Sequence, residues 1–342
     1  MKVSDSTRFR LSKAISLPTI SNANPALFDS ASLDGFKELI KHSYPLTDSL
    51  LDVTYINEYS MIFKWEGSDP SLKPMILMGH HDVVPVPEEN VSKWSFPPFS
   101  GRIDYGIIWG RGAIDDKISV IGNLEATELL LAEGFTPDRT VYLCFGHDEE
   151  LGGVNGAIAI VEHLKNTKVQ ADFIQYLGPE MPFMQKMAFA NPTIFKSLIV
   201  SSYEKKPSGN ALMRTTTAPT IMNAGIKDNV IPYQATATVN FRTLPGTSIE
   251  DVRQHILEVI EDDRIVLTEG DFSSEAPRAS GTDSFGYKTI EKTIKQLFPN
   301  ALVAPNLVIG ATDSRHYYPL CDNIYRFTPF YLNEDNLSTF HG

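Results

Sequence analysis

The residues of this chain that could perform chemistry begin with His80 and Asp82, which follow the apolar run Met75–Met78 and Gly79. Such a run is typical of a buried strand, and side chains alternate between the two faces of a strand. His80 and Asp82 therefore share a face, and His81 points the other way. A histidine backed by a carboxylate is a common way to hold a metal-binding imidazole. The alternative is a strand end whose polar residues lie in a solvated loop, and this stretch alone does not separate the two.

Two acidic pairs further along the chain also lie next to the start or end of a predicted helix or strand. Asp115 and Asp116 end a glycine-rich segment and precede a predicted helix over residues 118–133. Carboxylates are favoured at a helix start, so we expect one of the two to cap this helix. Glu149 and Glu150 follow a short apolar run that predicts another buried strand. Each pair offers carboxylate oxygens near the end of a predicted element.

The order of the elements explains how these groups could meet. Predicted strands and helices alternate up to residue 176, and the alternation resumes with a helix over 284–298 and a strand over 302–308. This pattern indicates an α/β fold with a largely parallel sheet and flanking helices. In such sheets ligands collect at the C-terminal ends of the strands. His80, Asp115 and the Glu149-Glu150 pair are expected to converge there.

The segment from about residue 178 to residue 275 has a different texture. It predicts strands over 218–223, 234–242 and 264–268 and a helix over 247–260. Because the α/β pattern resumes after it, we interpret this segment as a small α+β unit inserted into the α/β domain.

Composition excludes several classes of protein. The 342 residues carry 30 Lys+Arg against 42 Asp+Glu, a net charge of −12 that disfavours binding to nucleic acid. The two cysteines, Cys144 and Cys321, suggest no disulfide framework. No uninterrupted apolar run reaches about 18 residues, and no signal peptide is recognisable in the chain as written, so we expect no membrane segment.

Four motifs in this order resemble one family: His80-x-Asp82, Gly110-Arg-Gly-x-x-Asp-Asp-Lys117, Asp148-Glu-Glu-x-Gly-Gly153 and His341-Gly342. It is the aminoacylase/carboxypeptidase S family of dizinc metallopeptidases, and the most similar branch is that of carboxypeptidase S and the secreted N-fatty-acyl-amino-acid hydrolases. The resemblance implies a zinc-exopeptidase-like catalytic domain made of residues 1–177 and 276–342. It also implies a lid domain at residues 178–275 that serves homodimerisation.

The resemblance also implies roles at a two-zinc site. His80 would bind the first zinc and Asp82 would orient that histidine. Asp115 would bridge both metals, and Glu150 and His341 would bind the second zinc. Zinc prefers histidine nitrogen and carboxylate oxygen, which agrees with this set.

Three further residues receive roles in the same way. Glu149 would be the general base that takes a proton from the attacking water. Asn229 and Arg315 would contact the carboxylate or carbonyl of the substrate, and the planar fork of an arginine suits a carboxylate.

The chain departs from the family pattern at two internal places. Tyr176 stands where the family has another carboxylate ligand, and a phenol with a pKa near 10 is a poor substitute. The second zinc site therefore keeps its protein ligands, and the first is compromised. After Gly178 the first strand and helix of the lid are missing, together with a histidine that helps to stabilise the reaction intermediate.

We therefore expect a zinc-dependent hydrolase of peptide or N-acyl-amino-acid bonds whose activity is impaired in this chain. The alternative is a non-catalytic relative that binds a small carboxylated ligand or a partner protein. The family branch suggests a secreted or vacuolar parent protein.

Overall fold

The computed structural model describes residues 5–22, 24–176, 211, 214–270, 273–301, 303–308 and 310–327. The chain divides into two compact units. The first comprises residues 1–181, 280–304 and 312–342, and the second comprises residues 182–279 and 305–311.

The strands, numbered in chain order, are β1 (Asp52–Ile56), β2 (Ser60–Trp65), β3 (Met75–His80), β4 (Arg102–Asp104), β5 (Ile107–Trp109), β6 (Val141–Gly146), β7 (Phe173–Tyr176), β8 (Thr216–Ala224), β9 (Ala235–Arg242) and β10 (Ile324–Arg326). The α-helices are α1 (Asp5–Ile15), α2 (Ser30–Ser43), α3 (Pro45–Leu50), α4 (Glu88–Val91), α5 (Lys117–Ala132), α6 (Ala159–Asn166), α7 (Ile249–Ile260) and α8 (Phe285–Leu297).

Six strands of the first unit form one sheet in the order β1-β2-β6-β3-β7-β10. Strands β6, β3, β7 and β10 run parallel to one another. At one edge of the sheet, β2 pairs antiparallel with β6, and β1 pairs antiparallel with β2. Parallel neighbours end at the same edge of a sheet, so the residues that follow β3 and β6 lie side by side. This arrangement confirms the predicted α/β class with a largely parallel sheet.

Helices cover both faces of the sheet because its strands are apolar on both. Leu143 and Phe145 of β6 pack with Phe36 of α2 and Leu124 of α5 in one core cluster. Cys144, between them in sequence, belongs to a second cluster. The second cluster includes Ile76 and Met78 of β3 and Ile160 and Leu164 of α6. The alternation along β6 thus divides its side chains between the two layers.

The second unit contains the antiparallel hairpin β8–β9 and helix α7, which begins with a capping box at Ser248 and Asp251. Two predicted strands are wrong. Residues 264–268 and the described residues 303–308 form no strand, although both segments are rich in β-branched or aliphatic side chains. Isolated apolar runs favour a strand only where a neighbouring strand is available, and the sequence does not reveal that neighbour.

Among the described residues, no helix combines the length and the apolar composition that a membrane crossing requires. Cys144 and Cys321 are both buried free thiols, in agreement with the absence of a disulfide framework in the sequence.

Candidate metal centre

His80 is the last residue of β3 and is almost entirely buried. Its imidazole lies between two carboxylates. Nδ1 is 3.3 Å from Asp82 Oδ1, and Nε2 is 3.1 Å from Asp115 Oδ1. Burial alone would lower the pKa of His80, but the hydrogen bonds to Asp115 and Asp82 raise it well above its ordinary value. The ring is therefore oriented from one side by Asp82 and presents its other nitrogen to Asp115.

The Asp82 carboxylate is fully buried and joins three parts of the chain. Its Oδ1 accepts the backbone N–H of Glu149 and its Oδ2 accepts that of Glu150, both at 3.1 Å. The hydroxyl of Ser21 also donates to Oδ2. Burial alone would raise the pKa of Asp82, but its bonds to His80, Ser21 and the backbone lower it to about 2. Asp82 is therefore an anion that fixes His80 relative to the glutamate pair.

Asp115 and Asp116 face different parts of the site and are joined by a cis peptide bond. Asp116 occupies the N-cap position of α5 but makes no side-chain cap bond, so the capping prediction is wrong for it. Its carboxylate instead accepts the backbone N–H of His80 at 3.3 Å and the hydroxyl of Ser119. Burial raises the pKa of Asp116 to about 8. Asp116 therefore stabilises the end of β3 by accepting the backbone N–H of His80.

Glu149 and Glu150 begin a short 3₁₀ helix that follows β6 and ends at two glycines with positive φ, Gly152 at 93° and Gly153 at 73°. One potential ligand atom from each of His80, Asp115 and Glu150 lies within 4.8 Å of the others. Among the residues that the structure describes, this is the one cluster of at least three His, Cys, Asp or Glu side chains with that spacing.

The donor types in this cluster fit a zinc ion. One imidazole nitrogen and two carboxylates match the ligands that zinc prefers. The second nitrogen of His80 is held by Asp82, as is common for metal-binding histidines. Burial and neighbouring carboxylates raise the pKa of Glu150 to about 7. A cation bound here would lower the electrostatic cost of ionising Asp115 and Glu150.

Glu149 lies beside the cluster without being part of it. Burial raises its pKa, and the charges of Asp82 and Asp115 raise it further, whereas His80 and Arg315 act in the opposite direction. A half-buried carboxyl group whose pKa is raised toward neutrality is suited to accept and return a proton.

Arg111 supplies a positive charge near the cluster. Its guanidinium carbon lies 5.2 Å from the ring centroid of Trp94. Burial lowers the pKa of Arg111, and the nearby carboxylates of Glu150 and Asp115 oppose that shift. The guanidinium of Arg111 therefore partly balances the negative charge of two candidate ligands, Glu150 and Asp115.

The other four predicted site residues are His341, Tyr176, Asn229 and Arg315. His341 lies outside the described residues. The backbone of Tyr176 ends β7 beside Met78, and its role stays a prediction. Asn229 is an exposed turn residue of the second unit. Arg315 donates a long hydrogen bond of 3.4 Å to the carbonyl of Gly152, at the glutamate turn.

Asp313, two residues before Arg315, is a further candidate site residue that local sequence pattern does not single out. Asp313 is buried, and no group of the described residues donates a hydrogen bond to its Oδ1. A Cβ atom added to Gly153 would lie 2.3 Å from that oxygen, and one added to Gly146 would lie 3.2 Å from Oδ2. Burial and the charge of Glu149 raise the pKa of Asp313 well above its ordinary value. Asp313 therefore packs directly against the turn that carries the glutamates.

Comparison with known proteins places this geometry in a family context. Residues 76–341 match the family described as Peptidase family M20/M25/M40. The chain is 35% identical to the Dictyostelium discoideum protein called "Probable carboxypeptidase S-like 2", over 97% of this chain and 80% of the relative. It is 32% identical to the Xenopus tropicalis N-fatty-acyl-amino acid synthase/hydrolase PM20D1, with the same coverage of both chains.

The alignment with the first of these relatives is 418 positions long, more than the 342 residues of this chain, so it contains gaps opposite segments that this chain lacks. Among solved structures, the M20 family metallo-carboxypeptidase Sso-CP2 from Sulfolobus solfataricus matches with a TM-score of 0.66 and 15% identity. That match covers 95% of this chain and 91% of the other, and it supports the fold.

The packing of Asp313 against Gly153 generates a stability prediction. Gly153→Ala should lower the free energy of unfolding by more than Gly106→Ala. Both glycines have positive φ, which costs an alanine about 1–2 kcal/mol. The Cβ at Gly153 meets Asp313, whereas no atom of the described residues lies within 4 Å of a Cβ at Gly106. Urea denaturation of the two variants and the wild type measures the difference, and equal losses would contradict the packing argument.

Proposed function

The chain belongs to the M20/M25/M40 family of peptidases, and from this premise we propose that it is a zinc-dependent hydrolase of peptide or N-acyl-amino-acid amide bonds. The observation that carries the proposal is the cluster of His80, Asp115 and Glu150 with Glu149 beside it. Carboxypeptidase and N-fatty-acyl-amino acid hydrolase names among the relatives support this class of substrate.

The proposed ligand roles follow the family pattern. His80 and Asp115 hold the first zinc, and Asp115, Glu150 and His341 hold the second. Asp82 orients His80. A ligand atom of Asp115 lies within 4.8 Å of one from His80 and of one from Glu150, the predicted ligands of the two sites, and this proximity supports Asp115 as the shared ligand. Bound zinc would polarise the scissile carbonyl and acidify the attacking water.

The residues of the chain then manage the proton and the substrate. Glu149 accepts a proton from the attacking water and transfers it to the leaving nitrogen. Its raised pKa brings the group closer to neutral working conditions. Arg315 and Asn229 are assigned to the carboxylate or carbonyl of the substrate.

We further propose that hydrolysis by this chain is slow. Tyr176 replaces a carboxylate ligand of the first zinc, and the missing lid segment removes a histidine that stabilises the reaction intermediate. Single donors of that kind contribute about 10²–10³ in rate. A binding protein for a small carboxylated ligand or a partner protein is the second candidate, and Tyr176 is the residue that favours it.

The inserted segment has its own proposed role. We assign residues 1–177 and 276–342 to catalysis and residues 178–275 to a shortened lid that mediates homodimerisation weakly. The described part of the lid contains a two-stranded sheet, whose unpaired edges are suited to pairing with another chain.

The adjacent glutamates provide a test of the mechanism. Glu149→Gln should lower the release of free amino acid from an N-acyl amino acid by about 10²–10⁴-fold, because the general base is lost. Its zinc content should equal that of the wild type. Glu150→Gln should lose zinc as well as activity, since a ligand is removed. Elemental analysis and a chromatographic assay measure both quantities.

Two outcomes would contradict this mechanism. Wild-type turnover by Glu149→Gln would show that Glu149 takes no part in the reaction. Turnover that survives complete zinc removal by a chelator would show that the metal takes no part in it. Binding of N-acyl amino acid without any turnover, with or without zinc, would select the binding protein instead.

The substitution at Tyr176 generates a separate prediction. The wild-type chain should retain one tightly bound zinc after dialysis, and Tyr176→Asp should retain two, because the variant restores a carboxylate ligand. Tyr176→Phe is the matched control and should retain one. Two tightly held zincs in the wild-type chain would contradict the claim that its first site is compromised.

A further inference from the structure

The segment between α1 and α2 lies directly against the metal centre. Ile20 and Val83 form a parallel β-bridge. The backbone N–H of Ser21 donates to Val83 O at 3.1 Å, and the N–H of Val83 donates to Thr19 O at 3.0 Å. The hydroxyl of Thr19 donates to the carbonyl of His81. Residues 19–21 therefore act as a short extra strand beside the loop that follows His80.

Lys117 anchors the other end of this segment. Its ammonium group is fully buried and donates to the carbonyls of Ala14 at 2.9 Å and Leu17 at 2.6 Å. The same nitrogen lies 5.5 Å from the ring centroid of Phe36. Since Lys117 directly follows Asp116, the anchor and the metal-site aspartates belong to one stretch of backbone. Residues 14–21 are thus held by Lys117 at one end and by Val83 and Asp82 at the other.

Ser21 is the point where this segment reaches the site chemistry. Its hydroxyl donates to Asp82 Oδ2, the same oxygen that accepts the Glu150 N–H. The other oxygen, Oδ1, serves the Glu149 N–H and the His80 ring. Without the Ser21 bond, Oδ2 would keep the Glu150 N–H and lose its hydroxyl donor. The carboxylate would then be held less firmly, and with it the His80 ring and the glutamate turn.

We propose that Ser21 is a positioning residue for the metal centre, which it serves by fixing the Asp82 carboxylate. The inference rests on the proposed function because it requires that His80 and Glu150 bind a metal. Ser21 lies outside residues 76–341, the range that matches the family, so its role follows from the contacts of this chain.

Zinc affinity of the full chain tests the proposal, with competition against a chromophoric chelator as the measurement. Ser21→Ala should bind zinc about tenfold more weakly, the lower end of the loss seen when a partner of a metal ligand is removed. Ser16→Ala is the matched control on the same segment, because the Ser16 hydroxyl donates to Lys13 O and is exposed. The control should bind zinc like the wild type.

A pair of nearly isosteric variants separates the hydroxyl from packing. Ser21→Thr should keep the zinc affinity of the wild type, and Ser21→Val should bind zinc about tenfold more weakly, like Ser21→Ala. The two variants differ only in that valine has a methyl group in place of the threonine hydroxyl. Thermal unfolding of the metal-free variants shows whether each one folds. A role in folding alone would lower the melting temperature of both Ser21→Ala and Ser21→Val and leave the zinc affinity unchanged, and that result would overturn the proposal.

The outcome also separates this inference from the proposed function. If the wild type and Ser21→Val bind zinc equally, the positioning role is wrong and the hydrolase proposal stands. If the wild type binds no zinc, the proposed metal site is wrong and the positioning role falls with it.

Discussion

The buried anion at Asp82 is the constraint on which the rest of the site depends. An isolated carboxylate in a protein interior costs several kcal/mol, so it persists only where donors surround it. Its donors come from the end of β3, the turn after β6 and the segment before α2. Satisfying this one group therefore fixes three stretches of chain that are distant in sequence.

The parallel sheet makes that arrangement possible. β3 and β6 are neighbours and their residues pair from Met75 with Val141 to His80 with Gly146. Both strands therefore end together, and the histidine motif meets the glutamate motif without any long connection. The turn at Gly152 and Gly153 then folds back over Asp313, which keeps Glu149 and Glu150 close to the strand ends.

The concentration of carboxylates gives the site its chemical character. Burial raises the pKa of Asp116, Glu149 and Glu150, whereas Asp82 alone among the four is held ionised by its hydrogen bonds. Such a group of acids is stable around a cation and costly without one. The cluster of buried acids and the family membership are independent observations, and both agree with the proposed metal-dependent hydrolysis.

Local sequence pattern predicted the part of the site that depends on strand periodicity. His80 and Asp82 share a face, and His81 lies on the other side, where it stacks on Phe36 with the ring centroids 4.7 Å apart. Helix α5 also begins at Lys117, one residue before the predicted start.

Contacts that depend on tertiary packing were beyond the sequence pattern. The bond from Ser21 to Asp82 spans 61 residues, and no periodicity or motif encodes it. Asp116 has the position of a helix cap, but the end of β3 presents a backbone N–H that its carboxylate binds instead. Asp313 stands two residues before Arg315, but only the fold shows that it packs against the glutamate turn.

The measurement that tests the central claim most directly is the zinc affinity of Asp82→Asn, which keeps the shape of the side chain and removes its charge. The exposed Asp69 provides the matched control, since Asp69→Asn makes the same change away from the site. We predict that zinc binding by Asp82→Asn is weaker by about 10–100-fold. Affinity equal to that of Asp69→Asn would contradict the claim that the Asp82 anion organises the metal centre.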